Sequence, residues 1–198
     1  MKQAATQELF AYWNRVRGSR TEPERAELDP GAIRGILANT FILEIDEQLQ
    51  FPMRIAGTRL GALFVRELKG KAFMDLWAPE ARKSVLELLA TVLDDRSPAI
   101  AGAEAAPDGH PPLELELLLL PLRHYGKTHA RMIGSLAPCA IPTWLGLSPS
   151  PGLKVNSMRI VRRPDDLAQY IQPLARPNAG HPPRYGHLTV HDGGVSDR

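Results

Sequence analysis

The chain has 198 residues, of which 43% are hydrophobic and 23% are charged, a composition that excludes wholesale disorder and suits one domain with an appended segment. Lysine and arginine outnumber aspartate and glutamate by only 24 to 22, so the net charge of +2 gives no electrostatic case for binding nucleic acid or an anionic membrane surface. One cysteine excludes a disulfide framework, and no apolar run has the length of a signal peptide core or a transmembrane helix, so a cytoplasmic location is expected.

The first predicted element is an amphipathic helix. Leu9, Phe10 and Trp13 recur at helical spacing, and Gly18 provides a stop. A second short helix is predicted after Asp29, which precedes a proline and serves as a cap. Large apolar residues on a helix outside a sheet core tend to pack against another chain. Leu9, Phe10 and Trp13 are therefore predicted to form a partner interface, either with another protein or with a second copy in a homodimer.

A β-hairpin and a long helix are predicted next. Phe41 and Leu43 alternate with more polar neighbours, and so do Met53 and Ile55 after a turn, which predicts two strands with one buried face. Pro79 marks the start of a helix whose apolar residues form one continuous stripe.

Three more strands are predicted at residues 98–105, 113–122 and 129–137, because apolar residues alternate there between turn-forming segments. The order of elements favours an α+β fold, with one five-stranded antiparallel sheet and helices on one face. Pro, Gly and Ser become dense toward the end of the chain, which predicts partial disorder there. The predicted division is an N-terminal helical segment at 1–37, a domain at 38–142 and a C-terminal extension at 143–198.

Side chains with catalytic or metal-binding chemistry are few. Cys139 has no histidine or basic partner nearby in sequence, which favours a structural or exposed thiol. Glu114 and Glu116 lie two apart on a predicted strand, so both are expected on one solvated face. Six histidines fall in or beside predicted turns or in the C-terminal extension, so no metal, haem or other cofactor is expected. They are His110, His124, His129, His181, His187 and His191.

Several phrases of the sequence resemble a known family. The phrases are Tyr12-Trp13, "RIAGTRL" from Arg54, "GKAFMDLW" from Gly70 and "LLPL" from Leu119. Together they resemble PAS_5, a bacterial and mainly alphaproteobacterial family of PAS-like proteins, over about residues 9–142. The resemblance implies a PAS-like five-stranded sheet, a sensory or regulatory role, and no catalytic residues.

The resemblance also implies where a ligand would bind, between the sheet and the short helices that follow the hairpin. The predicted pocket residues are Phe41, Leu43, Met53, Ile55, Leu60, Leu63, Phe64, Phe73, Leu76 and Trp77. The alternative is a filled core, because buried apolar side chains normally pack to crystal-like density.

The function expected from these observations is a stand-alone regulatory module, not an enzyme, that contacts a protein partner or a second copy and can bind an unknown small ligand. Neither nucleic acid nor a membrane is an expected partner. A small α+β ligand-binding protein or enzyme remains an alternative, with Arg54, Arg59 or Glu67 in an internal cavity. A second alternative is cyclic-dinucleotide binding through Arg159 and Arg163, since guanidinium groups suit phosphate.

Overall fold

The structure of the protein, a computed structural model, describes residues 1–161 and two short strands near the C-terminus. The helices are α1 (Ala4–Arg17), α2 (Thr58–Phe64) and α3 (Pro79–Asp94). The strands are β1 (Thr40–Glu44), β2 (Met53–Ala56), β3 (Ala99–Ala105), β4 (Leu113–His124), β5 (Lys127–Pro138), β6 (Leu153–Ile160), β7 (Arg184–Tyr185) and β8 (Leu188–Thr189). Short 3₁₀ helices occupy Arg25–Glu27, Pro30–Ile33, Leu37–Asn39 and Phe73–Leu76.

Six strands form one antiparallel sheet in the order β2-β1-β5-β4-β3-β6. The first five positions contain the five predicted strands, which confirms the predicted α+β fold class. The sixth strand, β6, belongs to the C-terminal extension and pairs with β3. Trp144, also in the extension, is buried in the core. The described part of the extension is therefore packed onto the sheet.

One face of the sheet is covered by α2 and α3, as predicted. Pro79 occupies the first turn of α3, and Val85, Leu89 and Val92 are fully buried along its length. Their spacing places one apolar stripe against the sheet, which explains why this amphipathic segment is helical. The buried apolar side chains of α2, α3, the segment between them and the sheet face beneath them are called the α3-side core.

The opposite face is covered by α1 and the 3₁₀ helices that follow it. Its buried side chains, here called the α1-side core, are Ala5, Leu9, Phe10, Tyr12, Trp13, Leu28, Ile33, Ile36, Ile42, Leu118, Leu120, Leu122, Ile133, Ala137 and Val161. β4 therefore has apolar residues facing both layers, which accounts for the unbroken leucine run in its middle.

This second layer corrects the predicted partner interface. Leu9, Phe10 and Trp13 are no more than 2% exposed, and they pack against the sheet of their own chain. The Trp13 indole Nε1 donates to the Pro121 carbonyl at 3.0 Å. These three side chains are unavailable to another molecule while α1 is docked, so the prediction that they form a dimer interface is wrong.

Glu116 also departs from expectation. Glu114 is exposed, as predicted, but Glu116 is only 8% exposed. Its side chain extends from β4 to the residues just before α1. Its carboxylate accepts hydrogen bonds from the backbone N–H groups of Lys2 at 2.7 Å and Gln3 at 3.0 Å. Gln3 provides no side-chain cap to α1, so this carboxylate from β4 ties the beginning of the helix to the sheet.

Candidate functional site: an apolar groove beside strand β2

Nine of the ten predicted pocket residues lie together in the α3-side core. The ring centroids of Phe41 and Phe73 are 5.2 Å apart, and those of Phe73 and Trp77 are 5.7 Å apart. These distances are typical of packed aromatic pairs. The buried Trp77 indole N–H has no hydrogen-bond partner among the described residues, so this core keeps one unsatisfied donor.

The tenth residue, Ile55, lies on the other face, which corrects its predicted place in the pocket. The pairing of β1 with β2 shifts register between Ile42 and Leu43, because β2 contains one extra residue there. Such a bulge reverses the alternation of side chains beyond it. Met53 is consequently buried in the α3-side core, whereas Ile55 pairs with Ile42 and is 44% exposed.

The register places Ile55 at the outer end of an apolar row that crosses four strands. Ile55 on β2 is opposite Ile42 on β1, which is opposite Ile133 on β5, which is opposite Leu120 on β4. The three inner residues are at most 6% exposed. The α1-side layer therefore covers the row incompletely and leaves its outer end open.

The open end forms a groove with a volume of about 360 Å³. Its lining residues are Arg25, Leu28, Pro30, Ile33, Leu37, Ala38, Thr40, Ile42, Ile55, Ala56, Gly57, Thr58 and Ile133. At one end of the groove, the backbone at Gly57 packs directly against the carbonyls of Leu37 and Ala38. Any side chain at this position would overlap those carbonyls.

Arg25 is the one charged residue among the described residues that line this groove. Neither adjacent carboxylate neutralises it. Glu24 lies 3.6 Å from Arg123, and Glu27 lies 2.9 Å from Arg20. In the described part of the chain, the Arg25 side chain has no ion pair or hydrogen bond, so the groove combines an apolar floor with one uncommitted cation.

Of the polar residues proposed for an internal cavity, Arg54 and Glu67 line one open groove on the surface, and Arg59 lies outside it. Arg54 forms an ion pair with Glu44, and Arg131 approaches the same carboxylate at 3.0 Å. The hydrogen bond from Arg54, followed by that from Arg131, lowers the pKa of Glu44 below its usual value although partial burial opposes the shift. Arg59 donates to Asn39 at 3.0 Å. Glu67 is exposed on the surface.

The second alternative rests on residues that the structure describes only in part. Arg159 lies on the exposed edge strand β6, whereas Arg163 lies outside the described residues. Of the histidines, His110 lies with its ring 5.9 Å from that of Trp144 in a tilted arrangement, and it contacts the Ser148 hydroxyl at 3.0 Å. His181, His187 and His191 lie outside the described residues. The described residues contain no group of three that could hold a metal ion.

Cys139 is exposed, and its Sγ accepts a hydrogen bond from Gln3 Nε2 at 3.3 Å. Partial burial, together with the nearby carboxylates of Glu114 and Glu116, raises the pKa of the thiol. Since the thiolate is the nucleophile, Cys139 should react more slowly at neutral pH than a cysteine whose pKa is not raised.

We expect iodoacetamide to alkylate Cys139 at pH 7 several times more slowly than a cysteine in an unstructured peptide, because less thiolate is present. Mass spectrometry over time gives the rate. Glu114→Gln removes one negative neighbour and should accelerate the reaction. A wild-type rate equal to that of the peptide would contradict the raised pKa.

The described residues include no helix that is both long enough and apolar enough to cross a membrane. No curated protein matches the sequence at a significant level. The sequence does match the family model of the PAS domain family PAS_5 over residues 1–137, from α1 through nearly all of β5. The matched region includes both layers of the fold and every residue that lines the groove. The chain therefore belongs to the PAS_5 family of PAS domain proteins and carries a PAS-like sensory or regulatory module.

Proposed function

We propose that this protein is a regulatory module that passes a signal to another protein chain by direct contact and does not itself catalyse a reaction. Membership in the PAS family carries the proposal, since the match spans residues 1–137 and PAS domains commonly mediate protein interactions. The chemistry of the described residues supports it. Glu27 and Glu44, the described carboxylates whose pKa is lowered, both form conventional ion pairs with arginine, and burial raises the pKa of the Cys139 thiol.

The surface around β2 is the best candidate for the contact. Four exposed large apolar side chains belong to consecutive segments around this strand: Leu37, Leu49, Ile55 and Val65. Leu49 lies in the β1–β2 loop, and Val65 ends α2, which begins shortly after β2. Leu37 and Ile55 line the same groove, and exposed apolar side chains that adjoin one another are typical of protein interaction sites.

Site-specific photocrosslinking tests this proposal. A photoreactive phenylalanine analogue placed at Leu49 or at Val65, one position at a time, should give discrete adducts in the native host. Tyr125 and Leu147 are matched control positions, because both side chains are highly exposed and apolar, at 87% and 77%. An adduct of twice the chain mass would identify the partner as a second copy.

The proposed contact would be wrong if neither Leu49 nor Val65 gave an adduct. It would also be wrong if all four positions gave the same adducts, because that result indicates non-specific collision.

A further inference from the structure

We propose that the groove beside β2 binds a small amphipathic acid, with its apolar body against Ile42, Ile55 and Ile133 and its anionic group paired with Arg25. This site lies on the face of the sheet opposite the predicted pocket. The proposal names the class of ligand for this groove. A regulatory role for that ligand rests on the proposed function.

The apolar part of the argument comes from the incomplete α1-side layer. The cross-strand row is buried at Leu120, Ile133 and Ile42, yet Ile55 remains 44% exposed. Leu37, on the groove wall, is 37% exposed. A ligand in the groove would remove this surface from water, and burial of apolar area is the main favourable contribution to such binding.

The size of the groove indicates what kind of molecule fits. Its volume of about 360 Å³ lies within the range of roughly 300–1,000 Å³ that is usual for small-molecule sites. The Pro30–Ile33 and Leu37–Asn39 segments form its walls, and the sheet forms its floor.

Arg25 determines the charge of the ligand. It is half-buried beside the apolar walls and has no ion-pair partner in the part of the chain that the structure describes. The hydroxyl of Thr40, which also lines the groove, already donates to the Ile36 carbonyl at 2.9 Å. A carboxylate on the ligand would provide the anion that the surrounding residues do not supply.

Methyl NMR gives a direct test. In protein labelled at the isoleucine δ1 methyl groups, octanoate or phenylbutyrate should produce saturable shifts at Ile42, Ile55 and Ile133. The signals of Ile100 and Ile160, which do not line the groove, should remain in place. Octanol has the apolar chain without the charge, so it should bind more weakly than octanoate.

Two matched variants isolate the charge. Arg25→Gln should weaken octanoate binding about fivefold, as expected for the loss of one partly exposed ion pair, and should leave octanol binding unchanged. Arg34→Gln removes the same charge from an exposed residue outside the groove lining, and should bind octanoate like wild type. Thermal melting checks that both variants are folded.

Three results would overturn the proposal. The groove methyl signals could stay unchanged with both acids, octanol could bind as tightly as octanoate, or Arg34→Gln could weaken binding as much as Arg25→Gln. If the photoreactive residue were placed at Ile55 and captured a protein while the methyl signals stayed unchanged, the groove would instead be a protein-docking surface. Acid binding without adducts at Leu49 or Val65 would support this site and contradict the proposed contact.

Discussion

Replacing Trp13 by alanine should lower the free energy of unfolding by about 3–5 kcal/mol, the usual cost of truncating a fully buried aromatic side chain. For a chain of this size, the melting temperature should fall by roughly 10 °C. Trp13 is 0% exposed, and its ring lies 6.2 Å from that of Phe10 between α1 and the sheet. The substitution therefore opens a cavity in the middle of the α1-side core.

A second variant separates packing from hydrogen bonding. Trp13→Phe keeps most of the apolar volume but leaves the Pro121 carbonyl without its indole donor, which should cost about 1–3 kcal/mol. Tyr125→Ala serves as the control, because that aromatic side chain is 87% exposed and its loss should be nearly neutral. Thermal and urea unfolding measure all three variants.

The mass of the Trp13→Ala variant in solution distinguishes burial of Trp13 within its own chain from burial in an intermolecular interface. With Trp13 buried inside its own chain, Trp13→Ala should lower stability without changing the oligomeric state. Had Trp13 formed an intermolecular interface, the variant would dissociate while its melting temperature remained close to that of the monomeric fold. That second pattern, measured by light scattering, would contradict the docking of α1.

The sequence predicted the elements with strong periodicity most accurately. The apolar stripe of α3 begins at Pro79 as predicted, and β3 and β4 start within one residue of their expected positions. Local rules suffice there, because proline at a first helical turn and alternating side chains on a strand act over a few residues. The single antiparallel sheet followed from element order and the PAS resemblance together, whereas the order of its strands was not predicted.

The second layer could not be derived from the same rules. The spacing of Leu9, Phe10 and Trp13 shows that α1 has an apolar face but does not identify its partner. The leucines of β4 could have predicted the second layer. Leu118 and Leu120 lie on the face opposite Leu117 and Leu119, and apolar residues on both faces indicate that both faces are covered.

The groove was beyond sequence reasoning for a different reason. A single extra residue in β2 turned Ile55 to the other face, and alternation alone gives no position for a bulge. Ile42 and Ile133 meet Ile55 only through the strand register, and Arg25 arrives from a 3₁₀ helix before the sheet. The four residues named here therefore come from four separate segments, and no local motif joins them.

The same layer connects the groove to α1. The Tyr12 hydroxyl accepts a hydrogen bond from the Asp29 N–H at 2.6 Å, and Asp29 caps the 3₁₀ helix Pro30–Ile33 through Gly31. That 3₁₀ helix contributes a groove wall. A change in the wall position on ligand binding would therefore reach α1 through a direct contact.

Gly134→Ala should destabilise the protein by about 2–3 kcal/mol, the upper part of the range for overpacking a core. Gly134 lies on β5, opposite Phe41 on β1 and Leu119 on β4. A methyl group there would overlap the Phe41 ring and lie 2.5 Å from the Leu118 carbonyl oxygen. The ring can move, but the carbonyl belongs to the sheet backbone and cannot.

Urea unfolding of a double-mutant cycle tests this geometry. Phe41→Leu alone should destabilise, since it removes a packed ring, but it should cost less in the Gly134→Ala background because it also relieves the overlap. Gly35→Ala is the matched control, as no atom lies within 4 Å of the added methyl group, and it should stabilise by about 0.4–1 kcal/mol. Additive effects of Phe41→Leu and Gly134→Ala would show that the ring does not lie over Gly134.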